Sequence, residues 1–559
     1  NGIIAFVTNS SFIQKSAMDG LRKCFAKDFQ KIYIFNLRGD IRKNIISGQK
    51  LEGDNVFGKK SMTGIAITFL VKNSNDKNTA KIYYHDIGNS LNRATKLEII
   101  KSLGSISGIN NISGFSEIQP NSQGDWINQR QTIFSSHLIL GDKKDKTTNK
   151  IFENYSLGIV TNRDSWCYNF SYNTLTCNIK KTIDFYNSER LRYYKEFSNV
   201  TNNQTNNQTN NQIDKYINND TSKISWSRKL KKYLKNGKVL NFQDNSIVKS
   251  LYRPFIKRWL YFNRNLVEEV HKISYLFPEQ GVDNLVICVS GVGSSAGFSV
   301  LLANEIPCLD LVEKTQCFPL YLFNPTDNNP YTPSQTNSPN HRFQKIEAIT
   351  QVGLKHFQDA YPTLNFQRED LFYYIYGILH SSEYRMMFKH NLTKELPRIP
   401  KVSNPSDFLA FAKAGKELGN LHINYDKVSK YPIIIEASNN LSDEDYFVTK
   451  MKYGKLKKKT GKDLSTIIYN SKITLRGIPL HAYDYTIYGK SAIDWIMKFQ
   501  GITVDKRSGI IDDANIWAIE TMKNPKYPLE LLQRIITVSL ETLRIIEELP
   551  KLQFDNPLS

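Results

Sequence analysis

An apolar run at the very front of this chain constrains its fold more than any other feature. Gly2 and Asn9-Ser10-Ser11 bound Ile3-Ile4-Ala5-Phe6-Val7-Thr8, a length and composition that read as a buried strand. No cap, turn or partner strand precedes it, and a buried parallel strand needs a neighbour on each side. We therefore expect the back portion of a larger α/β protein, with elements of the same sheet encoded before Asn1.

The residues that follow keep an α/β rhythm. Ser16-Ala17-Met18-Asp19 has capping-box spacing, and Ala17, Leu21, Cys24, Phe25 and Phe29 fall on one side of the predicted helix. Strands are predicted over 32–37, 65–71 and 81–85, with a polar, Gly-containing loop over 38–63. Beyond about residue 115 the pattern loosens. Residues 201–212 repeat Thr-Asn-Asn-Gln three times, a tract too polar to bury a core, and the insertion around it is placed near 198–222. Residues 324–342, rich in Pro, Asn, Ser and Thr, read as a linker or long loop. Further on, an aromatic-rich helix is predicted over 370–389 and another over 406–418, stopped by Gly419. Strands are expected within 473–488. A last helix opens at Pro528, ends at Pro550, and carries an apolar stripe of Leu532, Ile535, Ile536, Leu543 and Ile546.

Charge narrows the class of partner. The 74 Lys and Arg against 53 Asp and Glu give +21 and a pI near 9.4. That balance favours a polyanion, most often nucleic acid, although a chain rich in Lys, Asn, Ile and Tyr is basic without binding anything. Cys24, Cys167, Cys177, Cys288, Cys308 and Cys317 form no Cys-x-x-Cys pair and meet no His at zinc-finger spacing. We expect reduced, buried thiols, no metal site and a cytoplasmic location. No stretch of about 18 apolar residues is present to span a membrane.

One local constellation carries chemistry. Asn55-Val56-Phe57-Gly58-Lys59-Lys60 lies just before the strand at 65–71. With the runs at 2–9 and 32–37, it resembles the second half of an adenine-N6 DNA methyltransferase domain of the gamma motif order. The resemblance implies that Phe57 stacks on an adenine flipped out of the duplex, with Lys59 and Lys60 near phosphates. Chemistry on an exocyclic amine requires the base to leave the stack, and an aromatic face restores about 1–3 kcal/mol per base. The alternative role for Phe57 is to cap the sheet core.

The rest of that family's machinery is missing from the sequence. There is no Phe-x-Gly-x-Gly loop, and neither Asn-Pro-Pro-Tyr nor Asp-Pro-Pro-Tyr occurs. Asn9-Ser10-Ser11-Phe12 lacks both prolines and Asn329-Pro330-Tyr331 lacks one. Gly291-Val292-Gly293-Ser294-Ser295-Ala296-Gly297 misses the dinucleotide spacing by one residue and reads as a structural turn. No catalytic residue is assigned. S-adenosylmethionine is expected in the full-length protein only, and the chain alone is expected to be inactive.

Further motifs follow in order: Gly124-Asp125-Trp126-Ile127-Asn128-Gln129-Arg130, Ser250-Leu251-Tyr252-Arg253-Pro254-Phe255, Gln316-Cys317-Phe318-Pro319-Leu320-Tyr321, Phe372-Tyr373-Tyr374-Ile375-Tyr376-Gly377, Glu395-Leu396-Pro397-Arg398-Ile399-Pro400 and Asn515-Ile516-Trp517-Ala518-Ile519-Glu520. Together they resemble the C-terminal region of type ISP restriction–modification enzymes. Those are single polypeptides that join a nuclease, a helicase-like motor, a coupler, an adenine methyltransferase and a target-recognition domain. The resemblance covers nearly the whole chain apart from the Asn-rich insertion. It implies that residues 1–115 are the C-terminal half of the methyltransferase domain, completing a Rossmann-like sheet. Residues 116–559 would be a mixed α+β target-recognition region. The implied partners are double-stranded DNA and the upstream methyltransferase, helicase and nuclease segments of the same polypeptide.

Within that region Arg253, Lys257, Arg258 and Arg264 alternate with Tyr252, Trp259 and Tyr261. The pattern suits a nucleic-acid groove and equally a packed strand with a basic edge. Lys455, Lys457, Lys458, Lys459 and Lys462, near Gly454 and Gly461, suit a phosphate-contacting loop or a plain solvated one. His380 is expected in the core. The rival functional reading is a stand-alone DNA-binding specificity module that serves a separate catalytic chain.

Overall fold

The computed structural model describes the whole chain except residues 48–49, 59–60, 74, 76–77, 111–113, 201–212, 327–342, 439, 457–460 and 555–559. The N-terminal part is a five-stranded sheet built from β1 (Gly2–Asn9), β2 (Lys31–Arg38), β3 (Ile65–Lys72), β4 (Lys81–Asp86) and β5 (Ser116–Ile118). Helices α1 (Asp19–Asp28), α2 (Ile41–Ser47) and α3 (Arg93–Leu103) accompany it. The spatial order is β1-β3-β2-β4-β5, with β3 antiparallel to both β1 and β2, and β2 parallel to β4.

Alternation along the strands explains the two faces. Ile32 and Ile34 of β2 join Ala66 and Leu70 of β3 in one core with Phe12, Ile13, Ile82 and Trp126. Phe35 and Leu37 point the other way and pack with Val56, Ile65, Ile87 and Ile109, as a period of two requires. The first core therefore reaches Trp126, past residue 115.

The opening run forms a strand, but not a buried parallel one. β1 pairs antiparallel with β3 along one edge, and Ile3, Ile4 and Val7 are 69%, 52% and 54% exposed. Phe6 alone of its large apolar side chains packs against the first core, beside Phe12 and Phe25.

The segment Gly124–Arg130 joins this sheet to the larger body. Asp125 is buried and faces Arg130 at 2.8 Å, Lys394 at 3.0 Å and Arg22 of α1 at 3.6 Å. Arg22 is itself fixed by the carbonyls of Gly124, Phe12 and Lys15, each at 2.8 Å. Lys394 also reaches the Asn128 carbonyl at 2.7 Å.

The larger body holds several small sheets around one continuous apolar core that runs from Phe134 to Leu552. The helices Arg368–His380 and Pro405–Ile423 cross in close contact. A Cβ at Gly377 would stand 2.3 Å from the Phe411 carbonyl oxygen, and one at Gly415 would stand 1.9 Å from that of Tyr373. Gly419 does not stop its helix; it lies inside it, against Leu302 and Tyr373. The aromatic helix expected over 370–389 ends at His380, because Ser381 turns extended and caps a new short helix, Ser382–Met387. His380 is buried.

Residues 201–212 and most of 324–342 lie outside the described residues. Described elements flank both segments. Ile213 and Ile217 are buried. Tyr321–Pro325 pairs antiparallel with Phe343–Glu347, so the second segment connects the two strands of one hairpin. All six cysteines are free; Cys24 and Cys177 are exposed rather than buried. Among the described residues, no helix is long and apolar enough to cross a membrane, and no cluster of His, Cys, Asp or Glu is placed to hold a metal.

Candidate nucleic-acid interface

The loop before β3 presents Phe57 outward. Asn55 is buried and organises it: its side-chain Nδ2 donates to the carbonyls of Gly39 at 3.0 Å and Thr63 at 2.7 Å. Its Oδ1 accepts from the Phe57 amide at 2.9 Å, and its carbonyl accepts from Gly58 at 2.9 Å. Val56 is buried beneath, and Gly58 turns the chain with φ at +75°. The Phe57 ring is 59% exposed, so it does not cap the sheet core. Lys59 and Lys60 lie outside the described residues.

Arg253, Lys257 and Arg258 come together on the strand pair Ile247–Arg253 and Ile256–Tyr261, but carboxylates already engage each of them. Arg253 lies 3.9 Å from both Asp164 and Asp310, and its guanidinium sits 3.9 Å above the Tyr252 ring. Lys257 lies 3.5 Å from Glu305 and 3.7 Å from Asp426. Arg258 is buried, 2.8 Å from Asp512, with its guanidinium 4.2 Å from the Tyr252 ring and 4.6 Å from that of Phe170. Burial pushes the Asp512 carboxyl up and Arg258 opposes that shift. A phosphate reaching these cations would have to displace an acidic partner. The arrangement therefore holds strands together, and it is the packed-strand reading of this pattern that the geometry matches.

Asp512 belongs to an exposed hairpin, Ile502–Val504 with Ile511–Asp513. Arg258 thus ties the hairpin to the strand pair. A cavity of about 250 Å³ lies between them, lined by Tyr168, Tyr252, Arg258, Phe499, Thr503 and Asp512. Lys506 and Arg507 at the hairpin tip are exposed and make no ion pair among the described residues.

Lys457, Lys458 and Lys459 lie outside the described residues, but their frame is described. Lys452–Lys455 pairs antiparallel with Lys462–Ile468, and Lys455 stands directly opposite Lys462. Both are exposed. Like charges opposed across a strand pair repel, and the one acid of this hairpin end among the described residues is Asp463, opposite Gly454. One further basic element went unremarked in the sequence. The helix Arg228–Lys235, capped by Ser227, buries Leu230 and Leu234 and leaves Arg228 and Lys232 exposed. Five cations in its eight residues were the available signal.

The Gly-rich loop 291–297 is filled from within the chain. The Glu313 carboxylate accepts from the Ser294 hydroxyl at 2.6 Å, the Ser295 hydroxyl at 2.7 Å, and the amides of Ser295 at 2.9 Å and Ala296 at 3.1 Å. Those are the donors a cofactor phosphate or carboxylate would need.

Comparison with known proteins adds family information to this geometry. The family model for the Type ISP C-terminal specificity domain matches residues 150–531. No curated protein matches by sequence. Among solved structures, the chain is similar to a nuclease-deletion mutant of the Type ISP restriction-modification enzyme LlaGI in complex with a DNA substrate mimic. The identity is 36% and the TM-score 0.82, over 99% of this chain and 47% of that one. It is similar to the ATP-dependent Type ISP restriction-modification enzyme LlaBIII bound to DNA, at 34% identity and TM-score 0.83, over 99% of this chain and 33% of that one. A DrdV–DNA complex matches at 31% identity and TM-score 0.80, over 99% of this chain and 51% of that one. The chain thus spans about half or less of the length of these proteins.

Proposed function

The chain belongs to the family of Type ISP C-terminal specificity domains, and from that membership we propose that it recognises a DNA target for a restriction–modification enzyme. The observation that carries this reading is the family match over 150–531, joined to solved relatives that are themselves bound to DNA. The net charge of +21 supports it, because phosphate neutralisation supplies most of the non-specific affinity for DNA.

The finer reading is that residues 1–115 form the C-terminal half of an adenine-N6 methyltransferase domain of Rossmann type, and 116–559 the target-recognition region. The order β1-β3-β2, with β3 antiparallel between its neighbours, supports a sheet completed by strands on the open side of β1. The exposed ring of Phe57 supports a base-stacking role. In this reading Lys59, Lys60, Lys457, Lys458 and Lys459 meet phosphates. Arg253, Lys257 and Arg258 serve the surface by holding its strands, since carboxylates engage their charge.

S-adenosylmethionine would supply the methyl group in the whole enzyme. Loop 291–297 does not fit it, because its donors are taken by Glu313. The methyltransferase, helicase and nuclease segments of the same polypeptide are the proposed partners in cis, and the chain by itself is proposed to transfer no methyl group.

The test is binding to mixed-sequence duplex DNA at increasing salt. The chain should bind at low salt and lose affinity linearly on a log–log plot. Absence of binding by folded protein at low salt would overturn the reading.

A further inference from the structure

Lys96 is a buried ammonium in an unfavourable place. Its side chain is fully buried, in the first turns of α3, just after the Asn92 cap. A cation near a helix N-terminus opposes the helix dipole, and a buried ammonium without a counter-charge is costly. Lys96 makes no ion pair among the described residues. Instead, its three N–H donors meet three backbone carbonyls: Leu37 at 2.8 Å, Glu52 at 2.9 Å and Asp54 at 2.8 Å. That uses its full donor capacity.

Those carbonyls share one location. Leu37 lies one residue before the end of β2, and Glu52 and Asp54 lead directly into Asn55-Val56-Phe57. One turn earlier on α3, Arg93 Nε donates to the Val56 carbonyl at 2.9 Å, and the Arg93 amide donates to the Asp54 carboxylate at 3.4 Å. The Asp54 amide donates to the Leu91 carbonyl at 2.9 Å. The approach is close: a Cβ at Gly53, where φ is +66°, would stand 2.2 Å from the Leu91 oxygen. Residues 52–57 are therefore clamped against the start of α3, and the Phe57 ring projects outward.

We propose that Lys96, assisted by Arg93, is the positioning residue for Phe57, setting the height and direction at which the ring meets an extruded adenine. The base-facing part of this inference rests on the function proposed above; the clamp itself does not.

Two measurements separate them. In this chain, amide hydrogen exchange would be compared for the native protein, Lys96→Met and Arg93→Ala. Exchange at residues 54–58 should speed up about tenfold or more, while the amides of β2 and β3 keep their protection. Arg93 is exposed, so Arg93→Ala folds even should Lys96→Met fail to. Unchanged exchange at 54–58 in Arg93→Ala, or in a folded Lys96→Met, overturns the clamp. In the full-length enzyme, methyl transfer from labelled S-adenosylmethionine to plasmid DNA would be followed. Lys96→Met should lower kcat about tenfold, in the range expected for losing a stacked base, with cofactor affinity unchanged. The Lys96→Met/Phe57→Ala double variant should be no slower than Phe57→Ala alone. Additive losses, or a normal kcat for Lys96→Met beside an impaired Phe57→Ala, overturn the positioning role. A normal kcat for Phe57→Ala itself would instead remove the base-stacking function on which that role depends.

Discussion

Lys394 Nζ lies 3.0 Å from Asp125 Oδ1, with both side chains buried, and this contact joins the five-stranded sheet to the larger body. Arg130 and Arg22 face the same carboxylate from the N-terminal side. One anion thus organises three cations drawn from α1, the junction segment and the specificity body.

Removing that anion should be expensive. Asp125→Asn leaves three buried or half-buried cations without a counter-charge, and breaking such a pair costs about 3–5 kcal/mol. Scanning calorimetry should show a lower melting temperature and a separate early transition for the N-terminal sheet. Lys394→Met should cost less, because Arg130 keeps its 2.8 Å contact with Asp125.

Acid should destabilise the protein in two stages. Burial holds His137 down to about 4, with Arg398 adding to the effect. Burial and Arg385 likewise hold His422 down to about 3. Both stay neutral in the folded chain while their unfolded forms protonate near 6.5. Their contribution is complete above pH 6.5 and is lost as pH falls toward 4 and 3. Burial raises Asp125, but hydrogen bonds from Arg130 and Lys394 outweigh it and hold the carboxyl at about 2, so its contribution goes below pH 3.8. Denaturant midpoints measured from pH 7.5 to 4 should fall in native protein and fall less in His137→Phe.

The lysines of segment 457–459 and the carboxylate-engaged arginines should behave differently toward DNA. Replacing Lys457, Lys458 and Lys459 with Ala should weaken binding to all sequences alike and flatten the salt slope by about 2–3. Arg258→Ala should instead lower the melting temperature, since it breaks the 2.8 Å contact that secures the hairpin at Asp512, with the salt slope unchanged. Fluorescence anisotropy across a salt series, paired with thermal melts, distinguishes the two outcomes.

Phe57→Ala should leave folding intact, because its ring is 59% exposed. In the full-length enzyme it should reduce methylation by about 1–3 kcal/mol of lost stacking, and Phe57→Trp should retain much of the activity through its π-face. Single-turnover transfer of labelled methyl groups to plasmid DNA measures both.

Local pattern made much of this fold legible. The strands β2, β3 and β4 and the last helix, Tyr527–Glu547 with Pro528 in its first turn, follow from periodicity and turn residues close in sequence. The features that escaped depend on distant contacts. Gly419 resembles a helix stop, yet it lies inside a helix where Leu302 and Tyr373 crowd it. The alternation of Arg253, Lys257 and Arg258 with aromatics is visible in sequence. Their acidic partners Asp164, Glu305, Asp310, Asp426 and Asp512 are scattered, so nothing local marks the charge as paired. Lys96 is likewise an ordinary surface lysine by pattern; only the meeting of β2, the loop 52–54 and α3 makes it a clamp. The exposure of Phe57 was not decidable from spacing, because the buried Asn55 and Val56 beside it carry the loop's packing.

Recognition of a specific DNA target should be visible in selection from a random duplex pool. The purified chain would be used to enrich bound duplexes over successive rounds at near-physiological salt, and the recovered pool sequenced. One short common site should emerge, bound at least about 10³-fold more tightly than unrelated duplex. A pool that stays random while the chain binds every duplex alike would contradict it.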